Sequence, residues 1–572
     1  MNGESLFEDE IVGLLTSTSR GLSIGTDPKS NSLHALITID QRSNFRLEEY
    51  LRIPLFNKEG TLDENLLCKI TELAYYNEFP HEFSTYDVSN LLAEEMINQS
   101  DRIIQEIDYN FVATLQPLSL INNGQRGPPN RLPPPASKVY KADKDTIKIG
   151  LKLSQNLHDI FIGYLTRSPP GQKISYLLKD RTTDPLLFTH VLVAGGTGSG
   201  KTQTTKNILR QCLGDQRTYN IDGSNKKLAI VQFDPQDEYA QMFHDPKNIT
   251  EEEQLNYENN KILFGKHEAT RVFVPTIKNT QYTSEYHDAE TTSFTIPFSL
   301  VEQNPWLIAR GDLNELQMVA LTDILLPNFF HSTTERECTY SNFLTYLAEN
   351  EDEYTNGKSN KTNIATGTFS AIKRKVNGFS NVFFDGTESG YSPPITDLIN
   401  DFVKPGQLSV VPISHINNHR DSTFVVLALS SLLIDEKITS SPEYERIKQT
   451  PLILSMDEAH NFLSKGHTEI GQEDVLIQKF IHAAKQGRKE KLGLFLVTQD
   501  PHDIAGDILT QIGTKIILNL SDDSAIKSLN LPSDLKWKIP NLTVGNMVVH
   551  SPSYTFPSEV TGLPKCLVRH EH

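Results

Sequence analysis

From Thr146 onward the chain repeats one pattern: a short, nearly unbroken apolar run, a turn, then a longer stretch with apolar residues at helical spacing. The runs Ile147–Leu153, His190–Ala194, Ala229–Phe233, Leu408–Ile413, Leu452–Met456, Leu492–Thr498 and Thr514–Leu518 predict strands of a parallel sheet. Strands covered by helices on both faces have no reason to alternate. The interval from Phe233 to Leu408 is far longer than one crossover needs. Within it, Asn314–Leu326, Ser341–Asn350 and Ala365–Val376 carry apolar residues at helical spacing, which predicts a mainly helical subdomain inserted at about residues 280–400.

The first 115 residues follow another pattern. Ile11–Leu15, Leu33–Ile39 and Phe111–Leu115 predict short strands, and Gly21, Gly25, Asp27-Pro28 and Asn57–Gly60 supply turns. Glu64–Glu78 has helical spacing and predicts a helix between strands. The expectation is a small β-barrel over residues 1–120. Residues 121–145 follow as a Pro/Gly-rich linker or exposed loop, with Gly127-Pro128-Pro129 and Pro133-Pro134-Pro135, and an α/β domain covers residues 146–555.

Composition narrows the class. No segment approaches the ~18 consecutive apolar residues of a membrane span, and Phe424–Ile434, which carries serines, predicts a buried helix instead. Met1-Asn2-Gly3-Glu4-Ser5 lacks the basic region of a signal peptide. Cys68, Cys212, Cys338 and Cys566 are scattered with no C-x-x-C pair, which fits a reducing, cytoplasmic setting and gives no zinc site. The net charge of −18 argues only weakly against nucleic acid, because a ring can confine basic residues to its pore.

The chemistry concentrates after His190–Ala194. Gly195-Gly196-Thr197-Gly198-Ser199-Gly200-Lys201-Thr202 matches G-x-x-x-x-G-K-[ST], between a buried strand and a helix-compatible stretch that begins at Gln203. Glycines let successive backbone N–H groups turn toward phosphate oxygens, Lys201 reaches the β- and γ-phosphates, and Thr202 ligates Mg²⁺. The motif predicts ATP with Mg²⁺, with Gln203 flanking the nucleotide.

A second apolar run ends in Asp457-Glu458-Ala459-His460. Adjacent carboxylates at a strand end can divide two tasks, Asp457 holding the metal and Glu458 positioning water. Gln499, at the end of the next strand, either senses the γ-phosphate or closes an ordinary turn. Gly487 predicts a helix C-cap, so that Arg488 opens a strand at the end away from its own nucleotide. Arg488 either reaches a neighbour's γ-phosphate in a head-to-tail ring or complements a helix dipole. Glu238, in Asp234-Pro235-Gln236-Asp237-Glu238-Tyr239, adds a carboxylate to the site or lies on a surface turn.

Together these segments resemble the HerA branch of the HerA–FtsK superfamily of ring ATPases. The resemblance runs from Ile162-Gly163-Tyr164-Leu165 through the glycine-rich loop, Asp234-Pro235 with Glu238-Tyr239, Asp457-Glu458-Ala459-His460-Asn461-Phe462-Leu463, Gly487-Arg488-Lys489, Thr498-Gln499 and Leu542–Val549. It implies a RecA-like P-loop ATPase core behind an N-terminal barrel, and a homohexamer that moves double-stranded DNA. It also implies work with a NurA-like nuclease or a defence effector, Arg488 acting in trans, and a C-terminal arm, residues 556–572, that braces a neighbour.

Two positions depart from the family: Thr189 stands where relatives often carry arginine, its role lost or moved to Arg181 or Arg167. Asp500 follows the glutamine where arginine is usual. Lys373, Arg374 and Lys375, on a predicted inserted helix, and Lys465 are candidate DNA-phosphate contacts, or solvated surface. The alternative to a translocating motor is a nucleotide-gated hexameric scaffold that assembles an effector. A membrane-anchored DNA pump is disfavoured.

Overall fold

The structure, a computed structural model, describes residues 11–16, 32–77, 109–156, 159–180, 185–309, 313–334, 337–356, 363–383, 392–464 and 472–571. The chain divides into two units. The first comprises Met1–Gln155, Tyr164–Tyr176 and Tyr554–Phe556, and the second Asn156–Gly163, Leu177–Ser553 and Pro557–His572.

Alternation closes the first unit into a barrel. Its strands are β1 (Ile11–Thr16), β2 (Leu33–Ile37), β3 (Tyr50–Phe56), β4 (Leu62–Asn77), β5 (Tyr109–Asn122), β6 (Gln125–Gly127) and β7 (Lys138–Lys141). They pair in the order β2-β1-β7-β3-β4-β5, and β2 pairs back onto β5. Leu33, Ala35 and Ile37, Leu51, Ile53 and Leu55, and Ala113 and Leu115 fill the interior at the strand period of two.

Two sequence expectations fail here. Glu64–Glu78 is not a helix, because those residues lie almost wholly in β4. Register shifts against β5 at Leu67/Cys68 and Ile70/Glu72 mark bulges. The first leaves its extra residue, Leu118, on β5; the second leaves Thr71 on β4 and moves the core-facing set from Leu66, Cys68 and Ile70 to Leu73, a step of three that imitates helical spacing. Ile147–Leu153, expected as a strand, instead contributes to the helix Lys144–Gly150. Its N-cap, Asp143, accepts from the backbone N–H groups of Asp145 and Thr146 at 3.0 and 2.9 Å. The Pro/Gly-rich stretch does not hang free. Asn123 and Gly124 turn with positive φ into β6, Ala136 N–H donates to Leu15 O at 3.0 Å, and Arg131 bridges to Glu64 at 2.9 Å.

Two further strands, β8 (Ile160–Leu165) and β9 (Ser175–Leu178), divide between the units. The second unit holds β10 (Val191–Ala194), β11 (Thr218–Ile221), β12 (Ser224–Lys227), β13 (Ala229–Asp234), β14 (Thr270–Pro275) and β15 (Thr291–Phe294). It continues with β16 (Leu408–Pro412), β17 (Leu452–Met456), β18 (Leu492–Thr498), β19 (Thr514–Ile517), β20 (Asn546–His550) and β21 (Ser558–Thr561). Its main sheet runs β15-β14-β16-β13-β17-β18-β10-β19-β20-β21, parallel as far as β19 and antiparallel after it. Every residue of β10, β13, β17 and β18 is buried, as expected for strands covered on both faces. Because β10 lies between β18 and β19, the carboxyl ends of these strands gather along one edge, where such sheets bind ligands.

Helices cover that sheet. His419–Ile438 is buried along most of its length, including the Phe424–Ile434 run. The expected inserted helices are present as Glu315–Val319 continuing to Ser332, Tyr340–Glu349 and Thr366–Val376. Their core centres on Phe298, whose ring meets Phe329, Tyr340, Phe343 and Phe383 at centroid distances of 6.1, 5.8, 5.3 and 5.2 Å. A π-helical stretch, Ala320–Leu325, precedes Pro327, which has no N–H to give an α-helical ladder.

Gly487 corrects another expectation. The helix Gln472–Glu490 runs through it and ends where Lys491 takes φ +58°. A Cβ at Gly487 would stand 2.5 Å from Leu492 O, so the glycine lets the helix lie against the start of β18. Among the described residues, no helix is long and apolar enough to cross a membrane.

Candidate nucleotide site

The loop Gly195–Gly200 leaves β10 pinned on both sides. Gly195 N–H donates to Thr498 O of β18 at 3.2 Å, and Gly196 N–H donates to Asn519 O, beyond β19, at 2.7 Å. Gly198 and Gly200 take φ of +74° and +97°, where a side chain would be strained. A Cβ on Gly195 would come within 2.6 Å of Ser199 Oγ. The helix Lys201–Cys212 starts immediately after the loop, which presents its first N–H groups and its dipole to that side.

Lys201 is buried and donates to Gly196 O at 3.1 Å. Burial lowers the pKa of its ammonium, and Glu458, Asp457 and Glu238 oppose that shift. Thr202 sits half-buried in the first helical turn. Gln203, expected beside the nucleotide, instead donates to Leu563 O at 2.8 Å and ties the helix to the C-terminal segment.

The acidic side forms at the ends of β13 and β17. Asp457 accepts from Tyr239 OH and from Glu458 N–H, each at 2.9 Å. Burial, then the neighbouring Glu458, pushes its pKa up to about 7. Asp234 is buried too, pushed up to about 6 by the same loss of water, and accepts from Tyr239 N–H at 2.8 Å. Glu458 adopts φ +47°, a left-handed conformation that costs a non-glycine residue on the order of 1–3 kcal/mol and recurs at functional sites. Glu238 is buried in this group rather than on a surface turn.

Glu458 is held from two directions. Its Oε1 accepts from Gln499 Nε2 and from Gln236 Nε2, the latter at 3.1 Å. Gln499 Oε1 in turn accepts from Thr197 Oγ1 of the glycine-rich loop at 2.6 Å. Glu458 Oε2 is buried without a hydrogen-bond partner, with His460 Nδ1 at 3.4 Å. An orphaned carboxylate oxygen, a buried lysine and a glycine cradle that a Cβ would fill fit a phosphate group with its cation.

Sequence reasoning placed Lys201, Asp457, Glu458 and Gln499, and the structure brings them together. It missed Gln236 and the Tyr239 hydroxyl, whose sole signal was membership of the Asp234–Tyr239 run. Arg488 does not open a strand: it is exposed in the last turn of the helix Gln472–Glu490, and the 7 residues of β18 that follow put it on the order of 20 Å from its own loop. Thr189 closes its own turn by donating to Leu186 O at 2.7 Å, and Asp500 N–H bonds Thr498 Oγ1 at 3.1 Å. Arg181 and Lys465 lie outside the described residues, and Arg167 belongs to the barrel-containing unit. Lys373 pairs with Glu351 at 3.0 Å, Lys375 donates to Gln317 at 3.1 Å, and Arg374 is exposed.

The C-terminal segment docks within its own unit. Leu567 N–H donates to Asn207 Oδ1 at 2.7 Å, Gly265 N–H donates to Leu567 O at 2.8 Å, and Gln241 exchanges hydrogen bonds with Glu571 at 2.8 Å. Lys206, fully buried in the helix after the loop, reaches Gln241 Oε1 and Arg569 O at 3.3 Å and His570 Nδ1 at 3.2 Å. These contacts fasten the C-terminal segment to the helix of its own phosphate loop.

Residues 160–433 match the sequence family described as the helicase HerA central domain. That match, just under half of the chain, is to the HerA central domain alone. The chain's HerA relatives include the probable DNA double-strand break repair helicase HerA of Methanocaldococcus jannaschii, 21% identical over 84% of this chain and 90% of that protein. The DNA double-strand break repair helicase HerA of Saccharolobus solfataricus is 27% identical over 37% of this chain and 41% of its own length. A probable helicase of Methanocaldococcus jannaschii, 22% identical, matches 88% of each chain. Among solved structures, VirB4 of Thermoanaerobacter pseudethanolicus aligns at TM-score 0.44 and 14% identity, covering 72% of this chain and 98% of that one.

Proposed function

We propose that the chain is an ATP hydrolase whose HerA-type core works as a ring, most simply a homohexamer, on double-stranded DNA. The observation that carries hydrolysis is the hydrogen-bonded path from Thr197 of the phosphate loop through Gln499 to Glu458, which ends on a carboxylate with one oxygen left for water. Lys201 and the loop N–H groups bind and orient the phosphates, Glu458 orients the attacking water and draws its proton, and Gln499 reports whether the loop is filled. Thr202 and Asp457 are the residues that would hold Mg²⁺, which when bound offsets phosphate charge.

Arg488 lies too far away to serve its own site, so we assign it to a neighbour's γ-phosphate, which makes turnover depend on subunit contact. DNA as substrate rests on the relatives' names. Arg374, with Lys373, Lys375 and Lys465, is the proposed phosphate contact, and a nuclease or defence effector is the proposed partner.

ATP turnover with and without duplex DNA, on wild type, Glu458→Gln and Arg488→Ala, tests this reading. Duplex-stimulated hydrolysis, lost by at least a hundredfold in both variants while nucleotide still binds, is expected, with a native mass of six copies. Full-rate hydrolysis by a monomer, or by Glu458→Gln, overturns it. Turnover without movement of a DNA roadblock, alongside full activation of the partner, replaces the motor with a scaffold.

A further inference from the structure

Gln236 is the unexplained member of the site. It lies 222 positions from Glu458 in sequence, and its side-chain amide donates to the same carboxylate oxygen, Oε1, that Gln499 binds. We infer that Gln236 is a positioning residue for hydrolysis: together with Gln499 it fixes the rotation of the Glu458 carboxylate, so that Oε2 alone is presented to water. The inference rests on the reading of Glu458 as the group that orients that water.

The geometry around Gln236 suits a fixed support. Its backbone N–H donates to Asp234 Oδ1 at 3.2 Å, and the same aspartate accepts from Tyr239 N–H at 2.8 Å, closing the loop after β13. The next residue, Asp237, takes φ +60° and accepts from Tyr282 OH at 2.6 Å. His287 Nε2 stands 2.7 Å from that same phenol oxygen. The loop is therefore anchored at three points, and the Gln236 amide leaves it toward β17. Two amide donors on one oxygen leave the carboxylate a single orientation, whereas either donor alone permits rotation about the last side-chain bond. Gln499 is bonded to the phosphate loop through Thr197, while Gln236 is tied to the loop after β13. The glutamate is thus held between one support on the phosphate loop and one independent of it.

The test compares Gln236→Met, which keeps length and removes the N–H donors, with Gln236→His, which returns one N–H at similar reach. ATP kcat and KM, binding of a non-hydrolysable ATP analogue and the thermal midpoint are measured for each, beside Glu458→Gln. Losing a hydrogen bond to a charged group predicts a fall in kcat of roughly ten- to a hundredfold. KM and analogue affinity should stay within about twofold, and Gln236→His should recover a substantial part of kcat. An unchanged kcat in Gln236→Met, or parallel changes in kcat, KM and the thermal midpoint, overturns the positioning role while leaving the hydrolase reading intact. Wild-type turnover in Glu458→Gln overturns that reading itself.

Discussion

His190 opens β10 and sits at the junction of two elements. Ala484 O can only accept and Leu494 N–H can only donate. The ring is therefore neutral, with Nε2–H donating to Ala484 O at 2.9 Å and Nδ1 accepting from Leu494 N–H at 3.0 Å. Burial lowers its pKa to about 4. Replacing it with leucine leaves both backbone groups buried and unpaired, a cost of roughly 2–4 kcal/mol at pH 7.5. The pH dependence has a definite sign. The unfolded ring takes up a proton below about pH 6.5 and the folded one does not, so acid favours unfolding of wild type. Between pH 6.5 and 5 wild type loses about 2 kcal/mol of its advantage over His190→Leu, and about 3 kcal/mol once pH reaches 4. Both tryptophans, Trp306 and Trp537, belong to the second unit, as His190 does, so denaturant unfolding followed by their fluorescence reports that unit. The difference between variant and wild type cancels the other titrating groups. A difference that stays constant from pH 7.5 to pH 5 would refute the neutral, doubly bonded ring.

Gly487→Ala pits two effects against each other: alanine favours the helix by about 1 kcal/mol, while its Cβ meets a backbone carbonyl 2.5 Å away, overpacking that costs roughly 1–3 kcal/mol. The expected result is a lower thermal midpoint, and a higher one would show that Gly487 is merely a weak helix residue. Lys206→Met removes the ammonium that gathers Gln241, Arg569 and His570, so carboxypeptidase should trim the last residues several-fold faster while the core melt shifts less. Equal trimming rates would mean that the segment is held by its backbone contacts alone. Tyr239→Phe removes the phenol that donates to Asp457 and should raise the Mg²⁺ concentration needed for half-maximal turnover, with an unchanged requirement refuting the link.

How much of this was legible in the sequence depended on whether a signal was local. The phosphate loop, β13, β17 and β18 could be read because buried parallel strands are continuous apolar runs that end in their functional residues. The helix expected at Glu64–Glu78 failed because the bulge at Thr71 of β4 disguises a period of two. Ile147–Leu153 failed in the opposite sense, since an alternating run folded as a helix once Asp143 capped it. Gly487 shows a glycine needed for close approach rather than for termination, a difference that composition does not carry. Gln236, Gln499 and Thr197 meet at Glu458 only through the strand order β13-β17-β18-β10, which no spacing along the chain encodes.

The two hydrogen bonds that pin Gly195 and Gly196 to neighbouring strands have a mechanical consequence. A cradle riveted at its entrance to both flanking strands behaves as an anvil rather than a spring, and it stores little energy by bending. A displacement at the loop is then passed on through the side chains it carries, the Thr197 hydroxyl first, and onward through Gln499 at the end of β18.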